Sequence, residues 1–194
     1  MRPRRLLGIA ILIVPAALSA QQRSATSEQT TANPITRTFH GFGFYGSWLL
    51  DAFDSIPASK YDFKPTPVQQ SVGYIAQHLE DANYGLCTII GGAPPTLTAR
   101  DTLVDTVKAK WPKDTLVARL RKSLVFCDSV MARVTDASLA DTLTVGPPGS
   151  RRTAPRVRWV ILLVTDLAEH YSQLASYMRL LGLVPPSALP RTGR

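Results

Sequence analysis

The chain is short of the residues that most often announce chemistry. It has two cysteines and three histidines in 194 residues. Cys87 and Cys127 fit no zinc or haem-attachment spacing. No serine-hydrolase elbow, phosphate-binding glycine loop or dinucleotide fingerprint occurs. Gly41-Phe42-Gly43 and Gly91-Gly92 lack the strand-to-helix context such motifs need. There is no internal repeat. Charge is not extreme either. The net charge is +8, and Arg2, Arg4 and Arg5 supply three of it, so 8 − 3 leaves +5 on the rest. Arg151, Arg152, Arg156 and Arg158 form the one dense basic cluster. It reads as a solvated loop and helix start. A nucleic-acid surface needs a broader footprint with interleaved aromatics, so no nucleic-acid partner is expected.

Long hydrophobic runs are also missing. The longest, Leu6–Leu18, has 13 residues, against about 20 for a membrane span. With Arg2, Arg4 and Arg5 before it and Ala17, Ser19 and Ala20 at its end, Met1–Ala20 has the three parts of a signal peptide. No cysteine near that end offers a lipid anchor, so no membrane anchor is expected once the leader is removed. Residues 21–35 are rich in Ser, Thr and Gln and read as a disordered lead-in. Residues 36–188 then make one domain. The whole chain's 45% hydrophobic and 19% charged content suits a soluble globular protein, here expected to be periplasmic or secreted. In an oxidising compartment Cys87 and Cys127 can form one disulfide; the alternative is two buried small apolar side chains.

What is present is helical periodicity. Phe42, Tyr45, Leu49, Ala52 and Ile56 recur at helical steps, which predicts a first helix over Phe39–Ser55. Thr36 or Thr38 is its expected cap, and Pro57 ends it. Thr66-Pro67 with Gln69 predicts the start of a second helix through a capping box. That helix carries Val72, Ile75, Leu79, Ala82, Leu86 and Ile89 inward and stops at Gly91-Gly92. Ala93–Lys113 is long for a tight hairpin, holds a helical turn or two near Leu103–Val107, and has the length to return the chain along the bundle, leaving helices two and three parallel. Helix three is expected from Asp114 to Val134, with Leu116, Leu120, Leu124, Cys127 and Met131 as its stripe. Residues 136–153 read as a loop, in which Thr142–Val145 is at most briefly extended for want of a clear partner. Helix four is expected from Thr153 or Ala154 to Leu181, with Val157, Ile161, Val164, Ala168, Tyr171, Ala175, Met178 and Leu181 inward. Four helices of comparable length make an all-α bundle.

The candidate chemistry lies in helix four. Asp166 and His170 are four residues apart, which stacks them on one helix face. A carboxylate on or beside an apolar stripe is costly unless paired or bound to metal. His78, in the middle of helix two, would complete a two-His, one-carboxylate set with open positions, suited to a divalent transition metal. A structural Asp–His pair, or hydrogen bonds to Tyr74, Tyr84 or Tyr171, remains the alternative. Gln173 extends the stripe as a supporting polar group. Glu169, about 100° round from His170, is expected in solvent, and His40 on the surface.

Three segments together resemble the DinB/YfiT-like metalloenzyme family: Lys64-Pro65-Thr66-Pro67, Ser71–His78 (SVGYIAQH) and His170–Gly182 (HYSQLASYMRLLG). The resemblance spans Phe39 to Pro186. It implies a four-helix bundle in up-down-down-up order, with a long crossover between helices two and three. It also implies a metal held by one residue of helix two and two residues four apart in the last helix. His78 and His170 match the family's histidines; Asp166 stands where a third usually is, and Tyr171-Ser172 replace the usual Arg-Gly. The cofactor so implied is a divalent transition metal, Zn, Ni, Mn or Fe, bound by His78, Asp166 and His170. Family activities include thiol-dependent transferases and metal-dependent hydrolases or isomerases. The leader counts against a thiol transferase, because low-molecular-weight thiol cofactors are chiefly cytoplasmic. The expectation is an exported metal-dependent enzyme of hydrolase type acting on an unknown small molecule, with a homodimer allowed. The alternative is a non-catalytic bundle that binds a ligand or partner. With helices two and three parallel, Cys87 and Cys127 are offset in height by roughly 9 Å. A disulfide wants Cα atoms within about 7 Å, so the pairing turns on where the helices start.

Overall fold

The computed structural model of the protein describes residues 33–96 and 98–190. The leader expected over Met1–Ala20 and most of the lead-in lie outside them. Six α-helices are described: α1 (Pro34–Gly41), α2 (Phe44–Ser55), α3 (Val72–Ile90), α4 (Asp105–Lys108), α5 (Lys113–Met131) and α6 (Arg156–Leu180). A hairpin of β1 (Thr142–Val145) and β2 (Arg152–Pro155) precedes α6. The four long helices α2, α3, α5 and α6 form the bundle. Among the described residues, no helix is long and apolar enough to cross a membrane.

The contacts between helices set their directions. Along α3 and α5 the partners climb together: Glu80 with Arg119, Asn83 with Ser123, Cys87 with Cys127. The two helices are parallel, as the long crossover requires. Between α3 and α6 the partners run oppositely, Ile90 with Arg156 and His78 with Asp166. Between α2 and α5 they also run oppositely: Asp54 bonds to Arg121, and the Ile56 carbonyl to Lys113 further back. The order is therefore up-down-down-up. The core between them holds Leu49, Phe53, Ile75, Leu79, Leu120, Leu174 and Met178, all fully buried. Each contributes about 1.5–3 kcal/mol through burial.

Several local expectations shift. The first helix breaks in two at Phe42-Gly43, where Gly43 N–H bonds to His40 O at 3.0 Å. Thr36 is not a cap. It is buried in α1, and Asp136 reaches from far along the chain to accept from Ile35 N, Thr36 N and Thr36 Oγ1. Pro34 and Ile35 of the expected lead-in belong to α1. Helix α3 begins at Val72, not Pro67, because Ser71 Oγ accepts from Tyr74 N at 3.2 Å and makes the cap. Thr66 and Gln69 close only a turn before it. Helix α5 starts one residue before Asp114 and ends at Met131.

Thr142–Val145 does find a partner. It pairs antiparallel with Arg152–Pro155, Leu143 opposite Ala154. Those partner residues had looked like the start of the last helix. The end of α6 is built as expected from glycine: Gly182 has φ 74°, and Leu183 N–H reaches Met178 O at 2.8 Å while Gly182 N–H reaches Arg179 O, a Schellman cap. Helix α6 buries a wider face than the one expected. Tyr171, Ala175 and Met178 are buried as expected, Ile161 is 46% exposed, and Trp159, Val160, Leu163, Leu167, Leu174 and Tyr177 are buried as well. Two apolar stripes interleave on this helix, and packing against both α2 and α3 draws on both.

One close approach positions the site. A Cβ at Gly73 would sit 2.2 Å from Ala109 O. Only glycine lets the crossover lie directly on the first turn of α3, and Gly73 N–H bonds to Tyr61 O at 2.8 Å there. The crossover thereby lays α4 beside the turn of α3 that carries His78.

Candidate metal centre

His78, Asp166 and His170 do come together. One ligand atom from each lies within 4.8 Å of the others. His78 Nε2 stands 3.9 Å from Asp166 Oδ1, and His170 Nδ1 stands 3.4 Å from the same oxygen. The two imidazole rings are 4.8 Å apart at their centroids. His170 is buried, and the His78 and Asp166 side chains are 35% and 23% exposed. The cluster opens to solvent through His78 and is closed on the His170 side.

The sequence produces this locally and then by packing. Helical spacing brings Asp166 and His170 to one face. It also brings His170 Nδ1 to 2.9 Å from the Asp166 carbonyl. A carbonyl only accepts, so Nδ1 carries the proton and Nε2 keeps its lone pair. Antiparallel packing of α3 on α6 brings His78 across. The Asp166 carboxylate beside it, against a smaller opposing effect of burial, holds the His78 imidazole above its usual range. At 3.9 Å this is an attraction through space and not a hydrogen bond.

The tyrosine alternative is not what forms. Tyr171 OH accepts from Ser187 N, and Tyr84 packs on Phe126. Tyr74 stacks parallel on His78, 6.4 Å between centroids, and its hydroxyl donates to Asp105 Oδ2 at 3.4 Å. Gln173 turns away from the cluster and donates to Tyr177 OH at 2.9 Å, which in turn donates to Gln70 O. Glu169 and His40 are exposed, as expected. Sequence reading missed the support behind His78. Asp105 and the buried Lys108 arrive from the crossover, and Lys108 Nζ pairs with Asp81 and stands 3.5 Å from Asp105 Oδ1. The one hint was Gly73 beside Tyr74, a glycine early in a helix with no local need for it.

The residues fit a divalent transition metal. Asp166 Oδ2 is buried with no hydrogen-bond partner, a costly state for a carboxylate oxygen. Two imidazoles stand against the other oxygen of the same carboxylate, His78 Nε2 at 3.9 Å and His170 Nδ1 at 3.4 Å from Oδ1. His78, Asp166 and His170 would hold such an ion, which would supply Lewis acidity there.

An all-α bundle with parallel central helices and a His–Asp–His cluster between its second and last long helices is the class this geometry defines. The chain belongs to the DinB superfamily, whose family profile matches residues 47–174. Among solved structures it is similar to a DinB-like protein of Bacillus cereus ATCC 10987, with 18% identity, a TM-score of 0.58, and coverage of 76% of this chain and 92% of that one. It is similar to a DinB-like protein of Bacillus subtilis at 16% identity and a TM-score of 0.58, covering 80% and 99%. It is also similar to a mycothiol-dependent maleylpyruvate isomerase at 8% identity and a TM-score of 0.55, covering 72% of this chain and 59% of that protein. These likenesses establish the fold. No curated protein sequence matches the chain.

Proposed function

We propose that the protein is an exported metal-dependent enzyme of hydrolase type, with His78, Asp166 and His170 as the ligands of one divalent transition metal. The observation that carries this is the convergence of the two imidazoles on Asp166 Oδ1, on a carboxylate whose other oxygen, Oδ2, is buried without a hydrogen-bond partner. A metal bound there would supply a Lewis acid for a substrate oxygen or for water. The rest is the work of the chain. Asp166 contributes the negative charge that favours a dication over water. The carbonyl of Asp166 fixes the His170 tautomer, so that Nε2 is free to ligate. Tyr74, tied to Asp105, holds the His78 ring in plane. The exposure of His78 leaves one side of the cluster open for a small-molecule substrate.

Export is supported by the Met1–Ala20 pattern and by the disulfide between Cys87 and Cys127, whose Cα atoms are 5.4 Å apart. Disulfides persist chiefly in oxidising compartments. The fold neighbour described as mycothiol-dependent works with a thiol cofactor; an exported protein has less access to one, which favours water as the acceptor.

The test is metal analysis of protein purified without a nickel column, then reconstituted separately with Zn, Mn, Ni and Fe(II). About one equivalent should bind tightly, and His78→Ala or His170→Ala should each lose it. Hydrolysis of a panel of ester and amide substrates should stop on chelation and return with the metal. Failure of every metal to exceed about 0.1 equivalent would leave the competing reading, a non-catalytic bundle with a structural Asp–His pair.

A further inference from the structure

The positive charge of the fold is gathered at one end of the bundle. That end consists of α1, the turn into α2, the end of α5, the hairpin and the start of α6. Long-range bonds hold its pieces together. Asp136, after α5, accepts from Ile35 N, Thr36 N and Thr36 Oγ1 of α1. Arg156, at the start of α6, donates to the Ile90 carbonyl that closes α3, to Ser138 O at 3.0 Å and to Asp141 Oδ2 at 3.1 Å. Residues 35–43 and 128–158 carry six arginines against three aspartates, a net of +3. The rest of the described chain carries ten basic and ten acidic side chains, a net of zero. Arg37, Arg133, Arg151, Arg152 and Arg158 are exposed. Of the three aspartates, Asp141 is paired with Arg156 and Asp136 is taken up by α1.

The same end exposes apolar side chains. Along α1 and the turn after it, Ile35, Phe39 and Phe42 recur at steps of four and three, which is one helix face. Phe39 is half-buried against the core, while Ile35 and Phe42 stay 54% and 38% exposed. Phe44 is 39% exposed. Its ring centroid stands 6.4 Å from that of Phe42 and 4.6 Å from that of Trp48, and Trp48 lies 5.0 Å from the buried Tyr171 ring. The exposed phenylalanines are thus the outer members of a packed aromatic row. Apolar side chains clustered at the surface and bordered by charge mark an interaction site.

We infer that this end of the bundle docks on a bilayer that carries anionic headgroups, with Ile35, Phe42 and Phe44 entering the interface and the arginines facing the headgroups. Phenylalanine and aliphatic side chains beside basic ones are what an interfacial surface presents, and each arginine near the surface adds attraction to anionic lipid. Other occupants fit less well. A second copy brought to the same end meets a like net charge of +3. Single-stranded nucleic acid takes rings set among the cations, whereas these rings lie on α1 and α2 and four of the six arginines lie on the hairpin and α6. Asp166 is ten residues beyond Arg156, about 15 Å along α6. Docking therefore leaves the His–Asp–His cluster clear, and it does not depend on the metal reading.

The experiment uses the chain from Gln21 onward, since the apolar run of the leader would bind lipid by itself. Its partition onto sedimented vesicles is measured for phosphatidylcholine alone and for an equal mixture with phosphatidylglycerol, and its oligomeric state by analytical ultracentrifugation. Binding to the mixture alone, weakened by high salt, is expected. Phe42→Ser/Phe44→Ser should lower the partition about tenfold, and Arg151→Gln and Arg152→Gln about fivefold each. Two control variants change the opposite end. Leu180→Ser/Val184→Ser removes side chains that are 65% and 58% exposed there, and Lys60→Gln/Lys110→Gln removes two exposed cations; both should bind as the parent does. Circular dichroism shows that the variants are folded. Equal binding to both kinds of vesicle, binding to neither, or equal losses in the controls overturns the inference. So does a dimer that Phe42→Ser/Phe44→Ser converts to monomer, which would give this surface to a second copy.

Discussion

Helix α3 faces two neighbours and treats its polar groups in opposite ways. Against α5 they are joined. Glu80, 4% exposed, receives Arg119 on both oxygens at 2.6–2.8 Å, and Arg119 also holds Asp101. Asn83 Nδ2 donates to Ser123 Oγ at 3.0 Å, leaving its own Oδ1 as the one unpartnered atom of that contact, and Cys87 is bonded to Cys127. Trp111 is flanked by Arg100 and Arg119, each within 5 Å of its ring. Against α6, two residues before Glu80, His78 meets Asp166 and His170 without a hydrogen bond to either, and Asp166 Oδ2 has no partner. Buried charges that are paired hold a fold in register. Buried polar groups gathered but unpaired are poised for something else to bind.

If the α3–α5 seam is structural, cutting it should cost stability and leave the cluster intact. The largest effect is expected from Cys87→Ala/Cys127→Ala. The bridge spans 40 residues, and closing a loop of that length stabilises by about 4 kcal/mol. Urea denaturation should show a loss of that order while metal stoichiometry is unchanged. A double variant that also lost metal would break the division between the seams.

Next comes Arg119→Met, which strands Glu80. Burial already pushes the Glu80 carboxyl up, against the opposing bond from Arg119. Removing the arginine should cost about 3 kcal/mol, and adding Glu80→Gln should recover much of it. No recovery would mean that Arg119 acts chiefly through Trp111 and Asp101.

On the other seam, His78→Ala should lower metal affinity about 100-fold and shift unfolding by no more than about 1 kcal/mol, since its side chain is a third exposed. Calorimetric titration with zinc and a denaturation curve read the two effects separately. A large stability loss with no change in zinc binding would make the cluster structural like its neighbour.

The smallest effect concerns pH. The Thr98 hydroxyl, then Arg119, then the Thr98 N–H hold Asp101 well below the usual carboxylate range. Its folded value is depressed, so the unfolded chain binds more protons as pH falls. The contribution is full above the unfolded value near pH 4 and is lost as pH falls through that value towards the folded one. Asp101→Asn should cost about 1 kcal/mol at pH 7, given partial solvent screening, and flatten the stability curve between pH 4 and pH 2. An unchanged acid limb would place the acid sensitivity elsewhere.

The bundle was legible because its signals are local and repeated: apolar steps of three and four, Pro57 after a helix, Gly182 at the end of another. The parallel pairing was legible from a connection too long for a hairpin. Where reading failed, a distant residue decided. Asp136 capped α1 in place of Thr36, and Ser71 started α3 although Thr66-Pro67 looked better. Thr142–Val145 read as no more than briefly extended because most of its partner, Arg152–Pro155, read as the start of a helix. The disulfide turned on the true helix starts: a later start for α3 shrinks the offset that had counted against it.

By itself the sequence determined that Asp166 and His170 share a face, because helical geometry fixes neighbours four residues apart whatever surrounds them. It also fixed His78 as the remaining histidine on a core-facing helix. Only tertiary structure decided that α6 would turn that face to α3, that Gly73 would let Asp105 and Lys108 settle behind His78, and that α1 and the hairpin would come to one end of the bundle. Those placements depend on how helices and a hairpin pack across the molecule. That packing depends on the fit of side chains far apart in the chain, which no local pattern records.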